Sequence, residues 1–143
     1  MRLKLQTDYA LRVLLWLAAT GRQATAEGLA RDFGISREHL VKVVQELGRA
    51  GLVSTRAGRG GGVRLARPAG ELRVAEVVAH FEGRDQVIGC LHEPRACGLH
   101  PGCDLRRLLR DAEQAFYDTL GTATLADLAA GSRKALARVG AHP

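Results

Sequence analysis

The chain has 143 residues and a net charge of +6; 46% of its residues are hydrophobic and only 4% aromatic. That length makes one compact domain, or a small domain plus an oligomerisation element, with a core of Leu, Val and Ala. No apolar run approaches a membrane span and no apolar signal region follows Met1-Arg2-Leu3-Lys4, so no membrane partner is expected and a cytoplasmic setting with reduced thiols is.

The charge is unevenly spread. Residues 31–67 carry eight Arg or Lys against three Asp or Glu, whereas residues 68–130 carry six against ten. A concentrated basic segment points to phosphate contact.

In chain order, Thr7 is the expected N-cap of a first helix, with Asp8 in its first turn, where a carboxylate suits the helix dipole. The run Tyr9 to Ala19 has no breaker and is apolar nearly all round, which predicts a helix buried on several sides. Gly21-Arg22-Gln23 reads as a turn. Thr25 caps a short helix, Ala26 to Phe33. After the tight turn Gly34-Ile35, Ser36 caps another, Arg37 to Ala50, closed by Gly51 as C′ glycine.

A short helix, a glycine turn and a capped second helix form a helix-turn-helix pattern. Leu40, Val43, Val44 and Leu47 keep helical spacing, and Ser36, Arg37, His39 and Lys42 lie off that stripe near the N-terminus, as on a helix that reads a major groove. Leu52 to Thr55 and Val63 to Leu65 then read as paired strands. The segment between them, Arg56-Ala57-Gly58-Arg59-Gly60-Gly61-Gly62, is a flexible cationic finger. Arg59 suits a narrow minor groove, and Arg56 and Arg64 suit phosphates. A helix-turn-helix followed by a basic hairpin is a winged helix.

Pro68-Ala69-Gly70 closes the wing, and Val74 to Phe81 is a short helix with Val74, Val77, Val78 and Phe81 inward. Cys90 to Cys103 then packs all three cysteines (Cys90, Cys97, Cys103) into fourteen residues with two prolines and two other glycines, a composition that predicts a loop. Thiols so grouped look like ligands of a soft metal centre, because thiolates bind zinc, copper(I) and iron–sulfur clusters. An odd count and the lack of a secretion signal argue against a disulfide framework. The loop alone leaves two metals open. Cys97, His100 and Cys103 fall at spacings of three, and Cys90 completes a tetrahedral zinc set. An iron–sulfur cluster needs a fourth ligand from His92, His100, a carboxylate elsewhere or a small molecule.

Asp104 is the expected cap of a long helix to about Leu120, with Leu105, Leu108, Leu109, Ala112, Ala115, Phe116 and Leu120 as its apolar stripe. Such a helix at the end of a small domain needs a partner, most simply a second copy. Thr124 to Ala129 reads as a final capped turn or short helix, and the chain from Gly131 as a frayed basic tail. The expected organisation is mainly α: a winged helix-turn-helix DNA-binding domain over residues 1–81 (wing about 52–66), a cluster-binding loop over 82–103, a dimerisation helix and short final helix over 104–130, and a flexible tail over 131–143. No nucleophile–base pair or phosphate loop supports an enzyme. Gly58 to Gly62 is followed by no helix, so it is not a dinucleotide motif.

With these parts in this order the chain resembles the NsrR-type nitric-oxide-sensing repressors, a branch of the Rrf2 family of winged-helix regulators. The resemblance runs from Thr7-Asp8-Tyr9 to Thr124-Leu125-Ala126-Asp127-Leu128. Its specific pieces are Ser36-Arg37-Glu38-His39-Leu40-Val41-Lys42, Arg59-Gly60-Gly61-Gly62-Val63-Arg64-Leu65, and Cys97 and Cys103 running into Leu105-Arg106. It implies a homodimeric repressor of operator DNA with a 4Fe–4S cluster in each subunit, held by Cys90, Cys97, Cys103 and a carboxylate of the other subunit's first helix, here Asp8. Nitric oxide would attack that cluster, break the Asp8 link and change the spacing of the two DNA-reading heads. A sister branch holds a 2Fe–2S cluster with three cysteines and a histidine three residues after the last. Arg106 stands there in this chain, which disfavours that mode.

Overall fold

A computed structural model describes residues 2–84, 87–93, 97–99, 102–136 and 138–139. Among the described residues the α-helices are α1 (Leu5–Thr20), α2 (Ala26–Phe33), α3 (Arg37–Arg49), α4 (Val74–Glu82), α5 (Gly89–His92), α6 (Asp104–Gly121) and α7 (Leu125–Leu136). Between α3 and α4 lies an antiparallel hairpin, β1 (Val53–Arg56) with β2 (Gly62–Leu65), in the register Val53↔Leu65 to Arg56↔Gly62. This is a mainly helical winged-helix fold, as the sequence predicts.

The core is aliphatic. Val13, Leu14 and Leu17 of α1, Leu29 of α2, Leu40, Val43 and Leu47 of α3, Val77 and Val78 of α4 and Leu125 of α7 are all almost wholly buried. Helix α1 is enclosed on several sides by α3, α4 and α7. The predicted caps of α2 and α3 are present: Gly28 N–H donates to Thr25 Oγ1 at 3.0 Å and His39 N–H to Ser36 Oγ at 3.3 Å. Helix α3 ends in a Schellman pair, Leu52 N–H to Leu47 O and Gly51 N–H to Gly48 O, both 3.0 Å.

Several expectations are corrected. Helix α1 starts at Leu5 with Lys4 as N-cap, so Thr7 lies inside it, fully buried. Its cap comes from another element: Glu82 Oε1 accepts from Lys4 N–H at 2.8 Å and from the Thr7 hydroxyl. The cysteine segment is not all loop, since Cys90 sits on the single turn of α5. Cys103, not Asp104, is the N-cap of α6; Asp104 begins the helix and pairs with Arg107 at 3.0 Å.

Helix α6 turns a different face to its own chain than its apolar stripe suggests. Glu113 and Tyr117 are buried, while Leu105 and Leu108 are 56% and 64% exposed. The Tyr117 hydroxyl donates to Gly83 O at 2.6 Å, which fixes this rotation against the end of α4. The last helix is longer than expected. Thr124 and Asp127 cap each other reciprocally, and α7 continues through residues 131–136 of the expected tail because it packs along α1. Residues 137 and 140–143 of that tail lie outside the described residues.

Candidate nucleic-acid interface and metal-ligand segment

The helix-turn-helix sets α3 with its apolar side inward and Arg37, His39 and Lys42 exposed at or near its start. Ser36 both caps the helix and hydrogen-bonds with His39, its Oγ 2.9 Å from Nδ1, which orients the imidazole at the helix entrance. Further along, Glu46 accepts from Arg49 at 2.7 Å and pairs with His80 of α4 at 2.8 Å. These bonds, Arg49's first, hold the Glu46 carboxyl below the ordinary carboxylate range.

The wing's two strands are joined by an isolated bridge from outside the hairpin. Ala24, between α1 and α2, pairs with Val63: Ala24 N–H donates to Val63 O at 3.1 Å and Val63 N–H to Ala24 O at 2.7 Å. The backbones come so close that a Cβ at Gly62 would stand 2.7 Å from Ala24 O, so that position excludes any side chain. Sequence reasoning read this stretch as a turn only. The extended backbone that an N-cap at Thr25 requires was the available signal for this bridge. The wing carries Arg56, Arg59 and Arg64, all exposed. Arg64 Nε donates to Ser54 Oγ across the hairpin at 3.0 Å, and Arg67 at the wing's base pairs with Glu76 of α4. Helix start and wing thus place Arg37, Lys42, Arg56 and Arg59 on exposed positions with no ion pair to any described residue. Uncompensated cations on a helix and an adjoining hairpin can neutralise backbone phosphates.

The second set of residues lies between α4 and α6. Cys90 on α5, Cys97 and Cys103 are free, half-buried thiols. Cys103 stands at the N-terminus of α6, where the helix dipole favours negative charge. Arg106, from the first turn of α6, donates from Nε to Cys90 O at 3.0 Å and ties α5 to α6. The donor chemistry fits an iron–sulfur group, whose usual ligands are thiolates. Among the described residues, however, no three His, Cys, Asp or Glu side chains gather as metal ligands. His100, the histidine of the zinc alternative, lies outside the described residues.

Asp8 projects from the first turn of α1 with its side chain 43% exposed, paired with Arg12 at 2.8 Å. It is therefore reachable by another molecule. The N-terminus of that helix is fastened to the segment leading into the cysteines. Glu82 caps it, and Lys4 Nζ donates to Phe81 O at 2.9 Å. The last turn of α4 and the glycine after it hence meet three helices: α3 through His80, α1 through Glu82 and α6 through Gly83 O.

No helix among the described residues is long and apolar enough to cross a membrane. The family model Rrf2, described as "Iron-dependent Transcriptional regulator", matches residues 3–131. Among solved structures, the chain is similar to CymR (YrzC), the global cysteine regulator of B. subtilis, with a TM-score of 0.74 at 22% identity over 91% of this chain and 97% of that one. It is similar to Staphylococcus aureus CymR, with a TM-score of 0.70 at 25% identity over 88% and 96%. It is also similar to T. potens IscR, with a TM-score of 0.70 at 20% identity over 94% and 90%.

Proposed function

This chain belongs to the Rrf2 family of transcriptional regulators, and from that premise we propose that it is an NsrR-type homodimeric repressor whose grip on operator DNA is set by an iron–sulfur cluster sensitive to nitric oxide. The observation that carries this reading is the placement of three free thiols on the segment joining the winged-helix body to α6, in a family described as iron-dependent.

Cys90, Cys97 and Cys103 would hold the cluster, with an oxygen of Asp8 of the partner subunit as fourth ligand. When bound, the cluster supplies an iron position that nitric oxide can attack. The chain's own residues do the rest. An oxygen donor binds iron more weakly than a thiolate, so Asp8 marks the ligand easiest to displace. Asp8 lies in the turn that Glu82 caps, and Glu82 ends the helix whose His80 pairs with α3. A shift of the cysteine segment would thereby pull on α1 and on the DNA-reading helix together. The exposed stripe Leu105, Leu108, Ala112 and Ala115 of α6 supplies an apolar face for a second copy.

On DNA, Ser36, Arg37, His39 and Lys42 would enter the major groove, Arg59 the flanking minor groove, and Arg56 and Arg64 would sit against phosphates. Repression follows from occupancy of a two-fold operator.

Protein purified without oxygen and assayed for iron, acid-labile sulfide and zinc tests the reading. About four iron and four acid-labile sulfide per subunit, with the coloured centre lost in Cys97→Ala, is the expected result. A colourless protein with bound zinc would replace it with the zinc-stabilised alternative, and about two iron and two sulfide per subunit with the other cluster type.

A further inference from the structure

The wing's reach depends on a residue outside the wing. Gln23, in the connection between α1 and α2, donates from Nε2 to Gly60 O at 2.8 Å, thirty-seven residues along the chain. Gly60 is the neighbour of Arg59 and has a left-handed backbone, φ +75°, as part of a turn in which Gly61 N–H donates to Gly58 O at 2.9 Å. The segment Ala57 to Gly61 projects beyond the last paired residues, Arg56 and Gly62, so ladder hydrogen bonds do not hold it. A glycine-rich tip of this kind samples many conformations, and ordering it at the moment of binding costs affinity. Ala24, adjacent to Gln23, is itself hydrogen-bonded to Val63, so the anchor point is rigid.

We propose that Gln23 is a positioning residue for operator binding: it pins the wing tip through the Gly60 carbonyl and so presents Arg59 to the minor groove in advance. The inference rests on the reading of Arg59 as a minor-groove contact. Gln23 itself need touch no DNA.

The probe is a short duplex selected by the wild-type protein from a random-sequence pool. Dissociation constants are measured for wild type, Gln23→Met, Arg59→Ala and the double variant, with hydroxyl-radical footprints and thermal unfolding of each. Methionine keeps the length of the side chain and removes the amide that holds Gly60 O. Gln23→Met is expected to weaken binding about three- to tenfold, the loss of one net hydrogen bond. Unfolding should be unchanged, and protection should fall in the flanking minor groove but persist under α3. In the Arg59→Ala background the same change should have no further effect. Gln23→Met that binds like wild type beside a weakened Arg59→Ala overturns the assignment of Gln23 alone. An undiminished Gln23→Met effect in the double variant shows that it acts by another route and also overturns it. Arg59→Ala that binds like wild type overturns the minor-groove reading together with the inference built on it.

Discussion

Single residues divide into those whose geometry leaves no alternative and those that serve by charge. Gly62 is of the first kind: Gly62→Ala forces a Cβ against Ala24 O and should open the bridge between Ala24 and Val63. Circular dichroism melts should show a drop in the unfolding midpoint, and operator affinity should fall with it. Arg59 is of the second kind. Arg59→Ala should leave the melt unchanged and cost about 1–3 kcal/mol of operator binding, read by fluorescence anisotropy. Thr7 shows how far a residue's role can depart from its sequence context. It reads as a helix cap, yet it is buried and its hydroxyl satisfies Glu82. Glu82→Ala would strand that hydroxyl and should destabilise the fold by about 1–3 kcal/mol in urea titrations. A threonine near a helix start signals a cap locally; a carboxylate arriving from seventy-five residues away carries no local signal.

Elements were legible where period and punctuation agree. Helices α2 and α3, with their hydroxyl caps, their glycine ends and an apolar stripe at helical spacing, follow from the sequence, and so does the hairpin after them. The failures are tertiary. The rotation of α6 is set by Tyr117 reaching Gly83 and by burial of Glu113, against the apolar stripe that periodicity alone selects. Helix α7 packs along α1 and persists to Leu136 through Arg133, Lys134 and Ala135, residues that themselves favour helix. Its start is fixed by the capping box: donation from the Thr124 hydroxyl and N–H holds the Asp127 carboxyl below its ordinary range. A carboxylate with a depressed folded-state pKa stabilises the fold above its unfolded-state value and loses that contribution as pH falls through the folded one. Both Asp127 and Glu46 therefore support stability at neutral pH, and that contribution is lost as acid protonates their carboxylates. A urea titration repeated at falling pH should show a loss that Thr124→Ala, itself costing about 1 kcal/mol, makes shallower. Equal pH slopes in the two proteins would remove the capping box from the explanation.

For the whole molecule, the exposed cations of α3 and the wing and the cysteine segment are separate regions joined through the last turn of α4. The winged helix was legible because local chemistry defines it. The proposed metal-ligand set was legible only as a group of residue types: among the described residues no three such side chains gather, and the proposal also calls on a second copy of the chain. Two consequences follow at this scale. Operator binding should weaken linearly in log affinity with log salt, and removing Arg56 or Arg64 should lower that slope by about one each. Leu108→Glu, on the exposed side of α6, should yield monomers in sedimentation velocity; a variant that remains dimeric would move the dimer contact elsewhere.

The account rests on the integrity of the thiol-held centre deciding how firmly the paired winged helices grip DNA. An operator titration of protein purified without oxygen, repeated on the same sample after nitric oxide, measures this directly. A rise in dissociation constant of at least about tenfold, the size of an ordinary allosteric coupling, is the predicted result. Superimposable binding curves before and after exposure would contradict it.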